Sequence, residues 1–159
     1  MTTDYPADEA PRGRWQRLAR APLVAAAYIP PAFAINWLTR KAFISCAIRC
    51  DSQQTVRLLH DMRTHQLALA LCTSLLLSPV VEEILFRWLL PAGLRHLRVA
   101  ERYSEAVAAL LFAAIHPIPW AWPMLVGFAL AQSHCLRRNG LAFVILVHAF
   151  FNAWQLLLL

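Results

Sequence analysis

Ser78-Pro79-Val80-Val81-Glu82-Glu83-Ile84-Leu85-Phe86-Arg87-Trp88 places two carboxylates and a guanidinium in a run that is otherwise uncharged and largely apolar from residue 67 to residue 94. A charge at membrane depth costs several kcal/mol unless it is paired or hydrated, so an apolar segment retains such a cluster for a function. On a helix Glu83 and Arg87 are four residues apart, on one face, with the acid N-terminal to the base, the favourable order for an ion pair. Glu82 is rotated about 100° away and cannot share that cation equally. One carboxylate is therefore neutralised by Arg87, and the other is left in a low-dielectric site suited to acid–base work. The competing reading is a buried charge pair that joins two helices.

Outward from this stretch the chain is segregated by charge. Of 159 residues, 59% are hydrophobic and 15% charged, against soluble averages of roughly 45–50% and 25%. Residues 21–39, 64–81, 106–136 and 139–159 carry no Asp, Glu, Lys or Arg. A bilayer core takes about 20 residues of helix, and Pro117, Pro119 and Pro123 divide the long third run into two. These runs predict an all-α, polytopic transmembrane helix bundle of about five spans, with a polar N-terminal tail over residues 1–20 and the bundle over 21–159. The first span, residues 21–38, is expected to kink at Pro30-Pro31. Residues 39–65, where Val56, Leu58, Leu59 and Met62 alternate with Arg57, Asp61 and Arg63, read as an interfacial amphipathic helix.

The formal charge of +6 comes from fourteen Arg and one Lys. They fall between apolar spans, the pattern of the positive-inside rule, so the expected counter-surface is a lipid bilayer with acidic head groups and not nucleic acid. The four cysteines, Cys46, Cys50, Cys72 and Cys135, have no disulfide-framework spacing and read as small apolar residues. Ser104 is expected to cap the span that follows it, with Glu105 near the helix N-terminus. Gly127 and Ala131 have small-xxx-small spacing, which permits close helix approach. Arg137-Arg138-Asn139-Gly140 reads as a turn.

The remaining polar residues of the spans fall at a common depth. Glu82 lies thirteen residues from Arg95, His116 fourteen from Arg102, and His148 and Asn152 ten and fourteen from Arg138. At about 1.5 Å per residue, all sit roughly 15–21 Å from one basic face. Each has a structural alternative: His116 could donate to a neighbouring carbonyl, and His148 and Asn152, one turn apart, could be interhelical hydrogen-bond glue. His134 reads as interfacial, and His60, His65 and His96 lie outside the spans or at their ends.

Glu82-Glu83-x-x-x-Arg87, Phe112-x-x-x-His116 and His148-x-x-x-Asn152, in this order on successive apolar helices, resemble the motifs of the CAAX-endopeptidase/bacteriocin-processing family, the glutamic-type intramembrane proteases also called Abi or CPBP. The resemblance covers about residues 66–155. It implies an intramembrane endopeptidase without metal or other cofactor. In it Glu82 and His116 activate a water, His148 and Asn152 form the oxyanion site, and Glu83 and Arg87 support the cluster. It implies a membrane-associated protein or peptide precursor as substrate, such as a CAAX-like or C-terminal sorting tail. Two departures stand out: the family's GxxxG-like motif is here Gly127-x-x-x-Ala131, and the chain is short. The short form and the arginine-rich turns point to a multi-pass protein of a bacterial inner membrane.

The residue types suit that chemistry on their own terms. Cleavage within a membrane needs a water held by a base, and the tetrahedral oxyanion needs preorganised donors, which a His/Asn pair on one helical face supplies. There is no HExxH, no GxSxG and no aspartate within a span. Two alternatives remain from the residues alone. Glu82, His116 and His148 could bind zinc or iron in a metal-dependent membrane hydrolase, or the set could be the structural interior of a non-enzymatic scaffold or immunity protein.

Overall fold

The computed structural model describes residues 11–45, 64–116 and 118–157, and among them every regular element is a helix. A short helix, α1 (Pro11–Leu18), precedes α2 (Ala21–Ser45). Helix α3 is one rod over residues 64–96, followed by α4 (Glu101–Ala114), a single 3-10 turn at Pro119–Ala121, α5 (Trp122–Asn139) and α6 (Leu141–Leu157). Two helical stretches, Trp15–Ala42 and Gln66–His96, are long and apolar enough to cross a membrane, and Leu141–Leu156 is a shorter apolar helix. Leu23, Phe33, Leu76, Leu77, Leu85 and Trp88 are exposed on the two long helices, as expected of side chains whose solvent is lipid.

Several details differ from the sequence expectations. Pro30 and Pro31 lie inside α2, which does not stop at residue 38 but runs on through Ser45. Residues 46–63, which hold most of the expected interfacial helix together with Cys46, Cys50 and His60, lie outside the described residues. Ser104 is not a cap. Ala100, in extended conformation, starts α4, and the buried Ser104 hydroxyl bonds back to the Val99 and Ala100 carbonyls at 3.3 Å. Gly127 is exposed, and a Cβ built there meets nothing within 4 Å, so the Gly127/Ala131 pair forms no close helix crossing. Arg137, Arg138 and Asn139 belong to the last turn of α5, and only Gly140, at φ 81°, makes the turn itself.

The rod α3 is not a uniform α-helix. π-Helical turns at Thr73–Leu77 and Ile84–Leu89 alternate with α-helical Thr64–Cys72, Ser78–Glu83 and Leu90–His96. Each π turn is followed by a proline one residue into the next α segment, Pro79 and Pro91. At the C-terminus of α3, the Arg98 N–H bonds to the Arg95 carbonyl at 2.9 Å and the Val99 N–H to the Leu94 carbonyl at 3.1 Å. This is a Schellman motif, with Arg98 at φ 64° in the left-handed place that glycine usually fills.

Helix α6 is the centre of the packing. It meets α2 along its length, the middle of α3, and α5, while α4 lies between α5 and the C-terminal half of α3. The core joins Ala21, Ala25 and Ala32 of α2 with Phe86, Phe112, Phe128, Val144, Val147 and Phe151. The alanines let α2 approach closely, and the phenylalanines fill the space around the polar residues of α3 and α6.

Candidate active site

Glu82 and Glu83 end the second α segment of α3, and the helix turns their side chains to different surroundings. Glu83 is fully buried. Its Oε2 lies 3.4 Å from Nε of Arg87, one turn later and equally buried. Its Oε1 lies 2.8 Å from Nδ1 of His148 on α6. The Arg87 guanidinium also sits 4.7 Å over the ring of Phe112, a cation–π contact that helps to offset desolvation. Glu83 thus connects α3 to α6 and joins a cation to an imidazole.

Glu82 is half-buried and faces a cavity. The Ser78 hydroxyl, one turn earlier, donates to its Oε1. Its Oε2 stands 3.7 Å from Nε2 of His148. His148 is therefore held between the two carboxylates, and its ring meets the rings of Phe128 and Phe112 edge-on, at 5.2 and 6.0 Å. Phe128 in turn stacks on Phe151 at 4.5 Å. Phe112 and Phe128, the latter backed by Phe151, leave the imidazole little freedom to rotate.

His116 lies just beyond α4, where the chain leaves the helix. Its Nδ1 is 2.8 Å from the Phe112 carbonyl. Bonding to a carbonyl makes Nδ1 the donor and leaves Nε2 as an acceptor. The Trp122 indole donates to the His116 carbonyl at 3.1 Å and fixes the bend from the other side.

Asn152 follows His148 by one turn of α6. Its Nδ2 donates to the Ser74 carbonyl at 2.9 Å, across to α3. That uses one of two amide hydrogens and leaves the other free to donate.

Glu82, His116, His148 and Asn152 all line one cavity with about 450 Å³ of empty space, part of it open to the outside. Ser74, Ser78 and the aromatic wall of Phe112, Phe128 and Phe151 complete most of the lining. Glu83 and Arg87 lie behind it. All six residues singled out in the sequence are thus brought together, four lining the cavity and two buried behind it. His134 and His96 are exposed and take no part. Among the described residues no three His, Cys, Asp or Glu groups converge as a metal would require.

The family model for type II CAAX prenyl endopeptidase Rce1-like proteins matches residues 64–154. The chain belongs to this family. No curated protein and no solved structure matches it. The match opens at the first residue of α3 and closes within α6, so it contains the whole cavity and leaves α1 and α2 outside. It lies within two residues at each end of the range over which the motifs resemble the CAAX endopeptidases. Membership makes the protein a membrane endopeptidase of CAAX type, acting on membrane-associated protein substrates.

Sequence reasoning missed two members of the site. Ser78 had a legible signal, a hydroxyl one helical turn before Glu82. The Ser74 carbonyl had none in its side chain, since the π turn gives the Ser78 N–H to the Thr73 carbonyl instead.

Proposed function

We propose that the protein hydrolyses a peptide bond near the C-terminus of a membrane-associated protein, in a CAAX-like or sorting tail, with a water activated by Glu82 and His116. The observation that carries this reading is the cavity in which a carboxylate, an imidazole acceptor and two further polar side chains face one another in an otherwise aromatic wall.

A water between Oε2 of Glu82 and Nε2 of His116 would find two acceptors and be polarised for attack. As its oxygen bonds to the substrate carbonyl carbon, one proton passes to Glu82 and negative charge develops on the carbonyl oxygen. Nε2–H of His148 and the second Nδ2–H of Asn152 are the donors for that oxyanion. Donation from Nε2 while Nδ1 donates to Glu83 requires the ring to carry both protons. When the C–N bond breaks, Glu82 returns its proton to the leaving amine. The water's second proton, left on the new carboxyl group, passes by way of Glu82 to the same amine, so the products are the shortened protein ending in a carboxylate and the released tail with a protonated amine. Glu83 and Arg87 hold His148 in place and never meet the substrate.

The test is turnover of a farnesylated CAAX peptide by the protein in liposomes made up in ¹⁸O-water. Cleavage with one ¹⁸O in the new carboxyl terminus is expected. An acyl end found on another amine, without label, would overturn hydrolysis, and failure to cleave both this peptide and a sorting-tail peptide would overturn the activity.

A further inference from the structure

We infer that Pro79 is a positioning residue for Asn152: it lacks an N–H, and so it leaves the Ser74 carbonyl free to orient the Asn152 carboxamide at the cavity. This rests on the oxyanion role proposed for Asn152 and names what holds that residue in place.

In an α-helix the Ser74 carbonyl would accept from the N–H of Ser78, four residues on. The π turn takes that partner away, because the Ser78 N–H bonds to the Thr73 carbonyl instead. In the π register the Ser74 carbonyl would next accept from residue 79, five residues on. Residue 79 is proline and has no N–H. Ser74 is thus left without either backbone partner, at a half-buried place where an unmet carbonyl is costly. The Asn152 carboxamide fills it at 2.9 Å, and this bond ties α6 to α3 beside Glu82. Pro79 is itself fully buried, so the π turn cannot relax by swinging the proline outward.

The second π turn supplies an internal comparison. The Leu90 N–H bonds to the Leu85 carbonyl, and Pro91 has none to offer Phe86. The arrangement is the same, but Asn152 makes no bond there. A proline in this setting frees a carbonyl wherever it occurs, and among the described residues only the one freed by Pro79 is used by a cavity residue.

The experiment is NMR on protein in micelles labelled with ¹⁵N at asparagine only. The chain has three asparagines, at 36, 139 and 152, and the Asn152→Ala spectrum assigns the carboxamide in question. In the wild type, one Asn152 amide proton is expected to exchange slowly and the other freely. Pro79→Ala restores a backbone donor to Ser74 and is expected to speed exchange of the protected proton about tenfold, the loss of roughly one hydrogen bond. Pro91→Ala should leave it within about twofold. Turnover of the farnesylated peptide adds a second readout. Pro79→Ala is expected to lower kcat with KM unchanged, and Asn152→Ala should cost less in the Pro79→Ala background than in the wild type.

Two fast-exchanging Asn152 protons in the wild type would overturn the inference, whether or not Pro79→Ala folds. So would equal effects of the two proline variants, or strictly additive losses in kcat. A wild-type kcat for Asn152→Ala with the protected proton present in the parent would contradict the oxyanion role and leave the Pro79–Asn152 link standing.

Discussion

Nδ1 of His148 lies 2.8 Å from Oε1 of Glu83, across the interface between α6 and α3. Of two adjacent glutamates, the fully buried one binds the histidine and Arg87, and the half-buried one faces the cavity. A single residue of rotation along the helix separates a carboxylate enclosed behind the cavity from one that lines it.

Removing the Glu83 carboxylate leaves Arg87 buried without its anion. Breaking one side of a buried ion pair costs about 3–5 kcal/mol. Glu83→Ala should therefore lower unfolding free energy in micelles by that amount, and Glu82→Gln by less than about 1 kcal/mol. Equal losses for the two would show that the division of labour between them is wrong.

Ser78 donates to Oε1 of Glu82 and fixes which carboxylate oxygen faces the cavity. A hydrogen bond to a charged group contributes about 1.5–3 kcal/mol, so Ser78→Ala should lower kcat by roughly 10- to 100-fold. Ser78→Thr keeps the hydroxyl and should keep most of the activity. Steady-state kinetics of both variants distinguishes orientation of Glu82 from simple filling of space, for which threonine and alanine would rank differently.

Arg98 holds a left-handed conformation at φ 64° to complete the Schellman motif that ends α3. A side chain there costs about 1–2 kcal/mol relative to glycine. Arg98→Gly should raise stability by roughly 1 kcal/mol, after the greater flexibility of glycine in the unfolded chain is allowed for. Thermal unfolding of the variant in micelles checks the sign, and a loss would mean that the Arg98 side chain makes a compensating contact.

Gly140 joins α5 to α6 at φ 81° and ψ 170°, a region almost closed to other residues. Gly140→Ala should destabilise by about 1–3 kcal/mol, although its Cβ would meet nothing within 4 Å. The cost lies in the backbone and not in a clash, so substitutions at neighbouring residues should not relieve it.

The helices were legible because lipid imposes a simple rule: a segment must be free of charge and must satisfy its own backbone. The uncharged run ending at Leu159 accordingly appears as α6, and the one broken by three prolines appears as α4 and α5. The six polar residues were legible for the same reason, since each is an exception to that rule. The π turns of α3 were not. They depend on a hydrogen-bond register that leaves no mark in composition, beyond prolines that equally suit a bend. Ser104 had the chemistry of a cap, but the helix starts three residues earlier and its hydroxyl serves the carbonyls before it. Gly127 had the spacing of a crossing motif but faces outward, because Phe128 and Met124 are the residues that α5 turns toward the core.

Activation of the water by Glu82 together with His116 is tested by cleavage of membrane substrates by Glu82→Gln and His116→Ala beside the wild type, with and without a chelator, at matched protein abundance. Each variant is expected to insert normally and to lose about 10²–10⁴-fold in kcat, with no effect of the chelator. Wild-type turnover by Glu82→Gln, in protein shown to be folded, would contradict this activation.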